Sequence, residues 1–315
     1  MKKIVLFHRD FQRFTGGHLK VWNYFNHVLA SKSFEPRIAF TPESKWDETN
    51  PWQTAKDYVT DCNPETADIL FLAGKDWNAI PPNALRDFSK PIINLIQHPR
   101  HADPTDKLFG FLSNRAIRIC VSEQVADAIE KTGQVNGPIF VIPNGIEVPD
   151  LRKRTGEQER PIELLMCGLK APELARNIEQ RLRQDENVAV TPLLDWMSRD
   201  DYLDRLTQAR IAVTLPRPSE GFYLPALEAM ACGAIVVCPD CIGNRDFCND
   251  EVNCFRPAYD TAAIIFSIYK ALALPPDEAG AMRKRAAATV QEHTLEREQA
   301  TFLAILERID DIWSG

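Results

Sequence analysis

Short apolar runs alternate with amphipathic helical patterns along the whole chain, and this alternation predicts parallel α/β layers. In the first half, an apolar stripe at helical spacing predicts a helix over 17–31, and Ser122 is the expected N-cap of a second helix over 123–132. The predicted strands of this half are 4–7, 37–40, 69–73, 92–97, 117–121 and 139–142.

The second half repeats the same rhythm. Ser198 and Asp201 have the spacing of a capping box at the start of one of its helices. The last 55 residues are helical in pattern, and an apolar stripe marks a final helix over about 294–313. The predicted strands are 162–166, 188–191, 211–215 and 234–238, and the other predicted helices are 172–184, 198–209 and 225–232.

The length of 315 residues fits two domains. A polar stretch over 150–160 separates the two rhythms, so we expect an amino-terminal domain over 1–149 and a carboxyl-terminal domain over 150–315. The final helix is a candidate for packing back on the amino-terminal domain. Two doubly wound domains that face each other would form a cleft at the carboxyl ends of their strands, where such sheets bind ligands.

Charge and composition narrow the class of protein. The net charge of −7 argues against a nucleic-acid partner, because nucleic-acid-binding proteins usually present a broad basic face. His8, Arg9 and Asp10 interrupt the first apolar run too early for a signal peptide, and we expect no transmembrane segment. Eight cysteines without an export signal indicate a reducing compartment, so a cytoplasmic location is expected.

Four of the cysteines are close together in sequence, at Cys238, Cys241, Cys248 and Cys254. The first two form a C-x-x-C motif, which opens the alternatives of a zinc site or a redox pair. However, the spacing of the four is not a common structural zinc pattern, and Cys238 ends a predicted buried strand. Buried free thiols are therefore the favoured interpretation, with no metal site expected.

The segment 216–233, PRPSEGFYLPALEAMACG, carries the most chemical information. A predicted strand leads into a polar turn, and Pro225 is placed where the first turn of a helix tolerates a missing N–H. The loop 221–224 would then present the amino end of a helix to an anion such as a phosphate. Glu220 and Glu228 flank this loop, and carboxylates beside a phosphate site can accept hydrogen bonds from sugar hydroxyls. This combination points to a sugar nucleotide.

The same segment resembles the retaining GT-B glycosyltransferases of the group 1 type, family 4. Their hallmark is a Glu-x7-Glu pair in the setting EGFGLPxxEAMAxG, and this chain has EGFYLPALEAMACG. The resemblance implies that Glu220 contacts the donor sugar and that Glu228 holds the ribose. It also implies donor contacts from the loop between them, which consists of Gly221, Phe222, Tyr223 and Leu224. Tyr223 stands where the family usually has glycine.

The resemblance extends at lower density over most of the chain. The Gly16–Gly17 pair follows the first predicted strand, as the family's glycine loop does near the donor phosphates. Asn144 lies in a segment, VIPNGIEV, that is similar to the family's domain junction. His98, directly after a predicted strand, corresponds to the family histidine near the transferred sugar, and it is the second expected catalytic residue beside Glu220.

One position departs from the family pattern. After the first strand of the second domain the family usually has G-R-L and, several residues later, a lysine, which supply two cations for the diphosphate. Here Leu169 takes the arginine position, and Lys170 is the nearest cation. Loss of a bidentate guanidinium would weaken stabilisation of the departing phosphate. Arg217 and Arg245 are two candidates that could compensate.

The resemblance implies a GT-B architecture of two Rossmann-like domains and a metal-independent hexosyltransferase-like activity, with no cofactor beyond the nucleotide diphosphate-sugar. The expected acceptor is a glycan or lipid-linked acceptor in surface polysaccharide biosynthesis, and peripheral contact with a membrane is left open. Two alternatives remain: a sugar-nucleotide epimerase of the same fold and a non-catalytic sugar-nucleotide-binding subunit. The nucleotide, whether UDP, GDP or ADP, is not specified by the sequence.

Overall fold

A computed structural model of the chain describes residues 2–81, 85, 88–148, 160–185 and 188–315. By its internal contacts the chain divides into two compact units. Unit 1 comprises Met1–Asn144 with Leu295–Gly315, and unit 2 comprises Gly145–Thr294. The predicted domain boundary between 149 and 150 lies outside the described residues, as does the predicted connection over 150–160 except for its last residue.

Unit 1 is built on a six-stranded parallel sheet in the order β2-β1-β3-β4-β5-β6. Side chains of the central strands are buried on both faces, as apolar runs without alternation predict. The strand order reverses between β1 and β3, which is the point where doubly wound sheets bind ligands. The strands are β1 (Lys3–Arg9), β2 (Phe34–Phe40), β3 (Ile69–Ala73), β4 (Ile92–Ile96), β5 (Ile117–Cys120) and β6 (Ile139–Val141).

Two α-helices of unit 1 match the predicted helices closely. Helix α1 (Gly16–Leu29) begins after Thr15, and helix α2 (Glu123–Glu130) begins after Ser122. The Ser122 hydroxyl accepts a hydrogen bond from the Val125 amide at 3.3 Å, which confirms the predicted N-cap. In the described part of unit 1, five short 3-10 helices connect the remaining elements: Pro51–Tyr58, Pro64–Thr66, Gly74–Ala79, Pro99–Ala102 and Phe109–Ser113.

Unit 2 contains a four-stranded parallel sheet in the order β10-β9-β7-β8. Its strands are β7 (Ile162–Cys167), β8 (Val190–Leu193), β9 (Ala209–Thr214) and β10 (Ile235–Val237). Its helices are α3 (Pro172–Leu182), α4 (Arg199–Gln208), α5 (Leu224–Ala231), α6 (Thr261–Leu272) and α7 (Pro276–Gln291). One apolar core joins β7, β9 and β10 to α3, α6 and α7. All predicted strands and helices of this half are present.

The start of helix α4 differs in detail from the predicted capping box. The Ser198 hydroxyl accepts a hydrogen bond from the Asp201 amide at 3.1 Å, as an N-cap should. The Asp201 carboxylate, however, accepts from the Ser198 hydroxyl itself at 2.6 Å. In a full capping box it would accept from the Ser198 amide, so the box forms only in part.

The predicted final helix over 294–313 is two helices, α8 (Leu295–Glu307) and α9 (Ile309–Ser314). The break lies at Arg308, where φ of −106° and ψ of 13° depart from helical values. Both helices belong to unit 1, and the Phe302 ring of α8 packs edge-on against Tyr24 of α1 at 4.7 Å between centroids.

A buried ionic cluster also joins α8 to α1. The Glu298 carboxylate pairs with the Lys20 ammonium, and its second oxygen lies 2.9 Å from Nε2 of His27. The side chains of Lys20 and Glu298 are 1% and 0% exposed. Because an ionised carboxylate only accepts hydrogen bonds, His27 must carry its proton on Nε2.

Within the described ranges, no helix is both long enough and apolar enough to cross a membrane.

Candidate active site

The carboxyl-terminal edge of the unit 2 sheet brings together the side chains that the sequence motif singled out. The strand order of this sheet reverses between β7 and β9. The loops after these two strands carry Lys170 and Glu220, respectively. In a doubly wound sheet, a ligand is bound at such a reversal, outside the carboxyl ends of the strands. We therefore expect unit 2 to bind a ligand at this edge.

An ion pair connects the two loops. Nζ of Lys170 donates to Oε1 of Glu220 at 3.1 Å, with side chains that are 46% and 16% exposed. Beside this pair, Nε of Arg217 donates to the backbone carbonyl of Lys170 at 3.4 Å. Exposed ion pairs contribute little to stability, so a ligand can take over these partners at small cost.

Glu228 lies in the second turn of α5, and its side chain is only 5% exposed. Its Oε1 accepts a hydrogen bond from Nη1 of Arg199 at 2.6 Å. Arg199 is the first residue of α4, directly after the loop that follows β8, and its side chain is 31% exposed. A charge-assisted bond of this length fixes the carboxylate in place.

The loop between the two glutamates is more enclosed than the sequence indicates. Gly221, Phe222 and Tyr223 are buried, while Leu224 is half-buried. The Phe222 ring packs against Phe247 at 5.2 Å between centroids. Burial, together with the nearby thiols of Cys238 and Cys167, raises the pKa of Tyr223 well above its usual value. The buried side chains of Phe222 and Tyr223 thus anchor the loop in the interior of unit 2.

Gly243, which lies outside the motif, also holds this loop in place. The Gly243 carbonyl accepts a hydrogen bond from the Tyr223 amide at 2.8 Å. A Cβ at position 243 would lie 2.6 Å from the Phe222 nitrogen and 2.7 Å from the Glu220 carbonyl oxygen. Only glycine permits this approach. Because the Tyr223 amide is used in this way, it is not among the N–H groups that the amino end of α5 offers to an anion.

In unit 1, the residue before His98 contacts the predicted glycine loop. Nε2 of Gln97 donates to the Gly17 carbonyl at 3.3 Å, so the end of β4 lies beside the start of α1. His98 is half-buried and caps the 3-10 helix Pro99–Ala102: its Nδ1 accepts from the Arg100 amide at 3.1 Å. A neutral imidazole with an accepting Nδ1 carries its proton on Nε2.

Gly16 is exposed at the start of α1, and a second polar cluster lies close by. Nη1 of Arg9 donates to Asp76 at 2.8 Å, and the other side of the guanidinium donates to Nδ1 of His18 at 3.1 Å. Burial, and then the charge of Arg9, lowers the pKa of His18 to about 4. His18 is therefore a neutral imidazole at physiological pH, as an acceptor for Arg9 must be.

Asn144 is the last residue of unit 1 before unit 2 begins. Its side chain is 3% exposed, and its Oδ1 accepts no hydrogen bond from the described residues. A buried amide oxygen without a partner costs free energy.

Comparison with known proteins finds a similarity in the segment that carries the two glutamates. Residues 146–273 match the family model described as glycosyl transferases group 1. No curated protein sequence matches the chain significantly.

Solved structures with the same fold extend the similarity to the whole chain. A glycosyltransferase from Rickettsia africae has a TM-score of 0.73 at 12% identity, with 98% of each chain covered. Anabaena HepE in complex with UDP-glucose has a TM-score of 0.70 at 12% identity, with 96% of this chain and 99% of that chain covered. Sucrose-phosphate synthase from Thermosynechococcus elongatus has a TM-score of 0.69 at 14% identity, with 98% of this chain and 100% of that chain covered. The predicted GT-B architecture of two Rossmann-like domains is confirmed.

The four cysteines that are close together in sequence lie in unit 2. Cys238, Cys241, Cys248 and Cys254 are free and buried, whereas Cys62 of unit 1 is exposed. Nδ2 of Asn244 donates to the sulfur of Cys238 at 3.1 Å. In the part of the chain that the structure describes, no group of three or more His, Cys, Asp or Glu side chains is arranged to hold a metal ion.

Two residues at this edge, Arg199 and Gly243, are not indicated by the sequence. Neither belongs to the motif, and each contacts it from another loop. A glycine after a predicted strand indicates a position that another backbone segment can approach closely, but it does not indicate which segment does so. For Arg199, the sequence contains no local signal.

Proposed function

We propose that the protein is a retaining glycosyltransferase that moves a sugar from a nucleotide diphosphate-sugar to an acceptor hydroxyl of a glycan or lipid-linked acceptor in polysaccharide biosynthesis. The observation that supports this proposal most is the placement of Glu220 and Glu228 around one loop at the point where the strand order of the sheet reverses. The match of residues 146–273 to the glycosyltransferase family model agrees with it. Anabaena HepE, which has the same fold, was solved with UDP-glucose.

Each side chain at the edge has a role in this proposal. Glu228, held by Arg199, accepts hydrogen bonds from the ribose hydroxyls. Glu220 orients the donor sugar, and Lys170 moves from Glu220 to the diphosphate when the donor binds. The amides of the loop before α5, other than that of Tyr223, face the phosphates, with the positive end of the helix dipole behind them.

The transfer itself requires no covalent intermediate with the protein. The bond between the anomeric carbon and the diphosphate oxygen breaks, and a bond from the same carbon to the acceptor oxygen forms on the same face. The proton of the acceptor hydroxyl goes to the departing phosphate oxygen, which gives a glycoside and a nucleoside diphosphate. Positive groups fixed near that oxygen stabilise the charge that develops in the transition state.

The first test is a thermal-shift panel of nucleotides and nucleotide sugars, because a ligand stabilises the folded state in proportion to its occupancy. The donor found in this way is then incubated with and without simple sugar acceptors. We expect sugar transfer and release of the nucleoside diphosphate when an acceptor is present. Conversion of the donor sugar without any acceptor would indicate an epimerase instead. Binding without turnover under any condition would indicate a non-catalytic subunit.

Replacing Glu228 with alanine is expected to weaken nucleotide binding by about 10- to 100-fold, because a charged hydrogen-bond partner of the ribose is lost. Isothermal titration calorimetry measures this change. Glu278→Ala serves as the matched control, since Glu278 is an exposed glutamate in the same unit. If Glu228→Ala binds the nucleotide as tightly as the control does, Glu228 does not hold the ribose.

Turnover is expected to survive chelation by EDTA. The sequence has no Asp-x-Asp motif at a strand end to hold a magnesium ion against the diphosphate, and cationic side chains surround the loop after β9. Rates measured in EDTA and after addition of excess magnesium should agree within error. Loss of turnover in EDTA, with recovery on magnesium, would show that a metal ion takes part.

A further inference from the structure

The cations at the carboxyl edge of the unit 2 sheet are unequally neutralised. Each of the four strands is followed by a cation: Lys170 after β7, Arg199 at the start of α4 after β8, Arg217 after β9 and Arg245 after β10. A second arginine after β10, Arg256, lies 3.7 Å from the Asp240 carboxylate. A diphosphate needs positive charge that is available to it, so the partners of these four side chains decide which of them can bind one.

Three of the four cations are paired with carboxylates. Lys170 lies 3.1 Å from Glu220, and Arg199 lies 2.6 Å from Glu228. Arg245 lies 2.6 Å from Asp240, and this carboxylate also raises the pKa of Arg245 through a side-chain hydrogen bond. The positive charge of these three side chains is therefore largely compensated within the protein.

Arg217 differs from the other three. No carboxylate of the described residues lies within 4 Å of its guanidinium, and the side chain is at the exposed surface of the loop. Its Nε donates to the Lys170 carbonyl at 3.4 Å, and its two terminal nitrogens make no hydrogen bond to the described residues. The half of the guanidinium that can bind two oxygens at once is thus available.

The position of this guanidinium matters as much as its charge. The Lys170 carbonyl that Arg217 contacts is one residue away from Leu169, which is 49% exposed. Adjacent Cα atoms are about 3.8 Å apart. Arg217 thus reaches across from the loop after β9 to the segment where the sequence has leucine in place of a phosphate-binding arginine.

We infer that Arg217 is the cation that binds the terminal phosphate of the nucleotide diphosphate and stabilises it as the leaving group. This inference rests on the proposed function. Arg217, in the loop after β9, thereby takes the phosphate-binding role of the arginine that the loop after β7 lacks. Lys170 contributes a second positive charge once Glu220 has turned to the sugar. Arg245 takes no part, because both its Nε and its Nη2 donate to Asp240, so its bidentate edge is already occupied.

The test compares nucleoside diphosphates with nucleoside monophosphates in calorimetry, using UDP, GDP and ADP against UMP, GMP and AMP. Arg217→Gln should weaken diphosphate binding by about 10- to 100-fold and leave monophosphate binding nearly unchanged, because only the terminal phosphate loses a charged donor. Arg217→Lys should recover part of the loss, since it keeps the charge but not the bidentate geometry. Arg245→Gln is the matched control and should bind all six ligands as the wild type does.

The outcomes separate this inference from the proposed function. If the wild type binds a nucleoside diphosphate and Arg217→Gln binds it equally well, the assignment of Arg217 is wrong while the proposed function stands. An equal loss for diphosphate and monophosphate would also overturn the assignment to the terminal phosphate. If the wild type binds none of the three diphosphates, both the proposed function and the assignment fail. Because Arg217 is exposed, the thermal unfolding midpoint of Arg217→Gln should equal that of the wild type.

Discussion

Replacing Glu298 with glutamine is expected to lower the free energy of unfolding of unit 1 by about 3 to 5 kcal/mol, because it removes the carboxylate that neutralises a buried ammonium. Lys20 and Glu298 are almost completely inaccessible to water, so solvent cannot replace the lost partner. Five of the six tryptophans lie in unit 1, which makes tryptophan fluorescence during urea unfolding a selective measure of this unit.

A double variant tests whether the loss comes from the ion pair. Lys20→Met combined with Glu298→Gln removes both charges, and the glutamine carbonyl can still accept the hydrogen bond from His27. A neutral replacement of a buried ion pair is often tolerated, so the double variant should recover most of the stability that Glu298→Gln loses. If the double variant is instead as unstable as the sum of the two single variants, the two charges do not interact.

The same cluster has a predictable dependence on pH. Burial raises the pKa of Glu298, but the charge of Lys20 and the hydrogen bond from His27 outweigh that effect and hold the pKa below its usual value. A carboxyl whose pKa is lowered on folding stabilises the folded state above its unfolded pKa, and this stabilisation is lost as the pH falls through the folded pKa. The difference in free energy of unfolding between the wild type and Glu298→Gln should therefore be largest near neutral pH and should decrease as the pH falls.

The strands of both sheets were predictable because a parallel sheet buries both of its faces and so leaves continuous apolar runs in the sequence. Two of the larger errors fall on the edge strands β2 and β8. The prediction for β2 began at 37, whereas the strand is Phe34–Phe40, and the prediction for β8 was 188–191, whereas the strand is Val190–Leu193. Each strand contains a proline, Pro36 or Pro192. Proline argues against a central strand, but an edge strand tolerates it because one side of its backbone needs no partner.

The candidate site was predictable where its residues belong to a motif. Glu220 and Glu228 are eight residues apart and form a motif, so the sequence contains them together. Arg199 contacts Glu228 from 29 residues away, and Lys20 contacts Glu298 from 278 residues away. Pairs of this kind have no periodicity or spacing of their own. Only the packing of the helices that carry them brings these side chains together.

His98→Ala is expected to lower turnover by roughly 100-fold or more while nucleotide affinity stays near the wild-type value, because we propose that the imidazole acts on the transferred sugar and not on the base or ribose. The geometry at the end of β4 is consistent with such a role. Nδ1 accepts from the Arg100 amide, which leaves the proton of the neutral ring on Nε2 as a hydrogen-bond donor.

The cap made by His98 allows its chemical and structural roles to be separated. Asparagine is a preferred N-cap and can accept the same bond from the Arg100 amide, so His98→Asn should keep the 3-10 helix Pro99–Ala102 intact while removing the imidazole. Turnover and the thermal unfolding midpoint are measured for both variants. If His98 acts on the sugar, both variants lose turnover, and only His98→Ala also loses stability. A His98→Asn enzyme with normal turnover would show that the side chain serves only as a cap, and the proposed catalytic role would have to be abandoned.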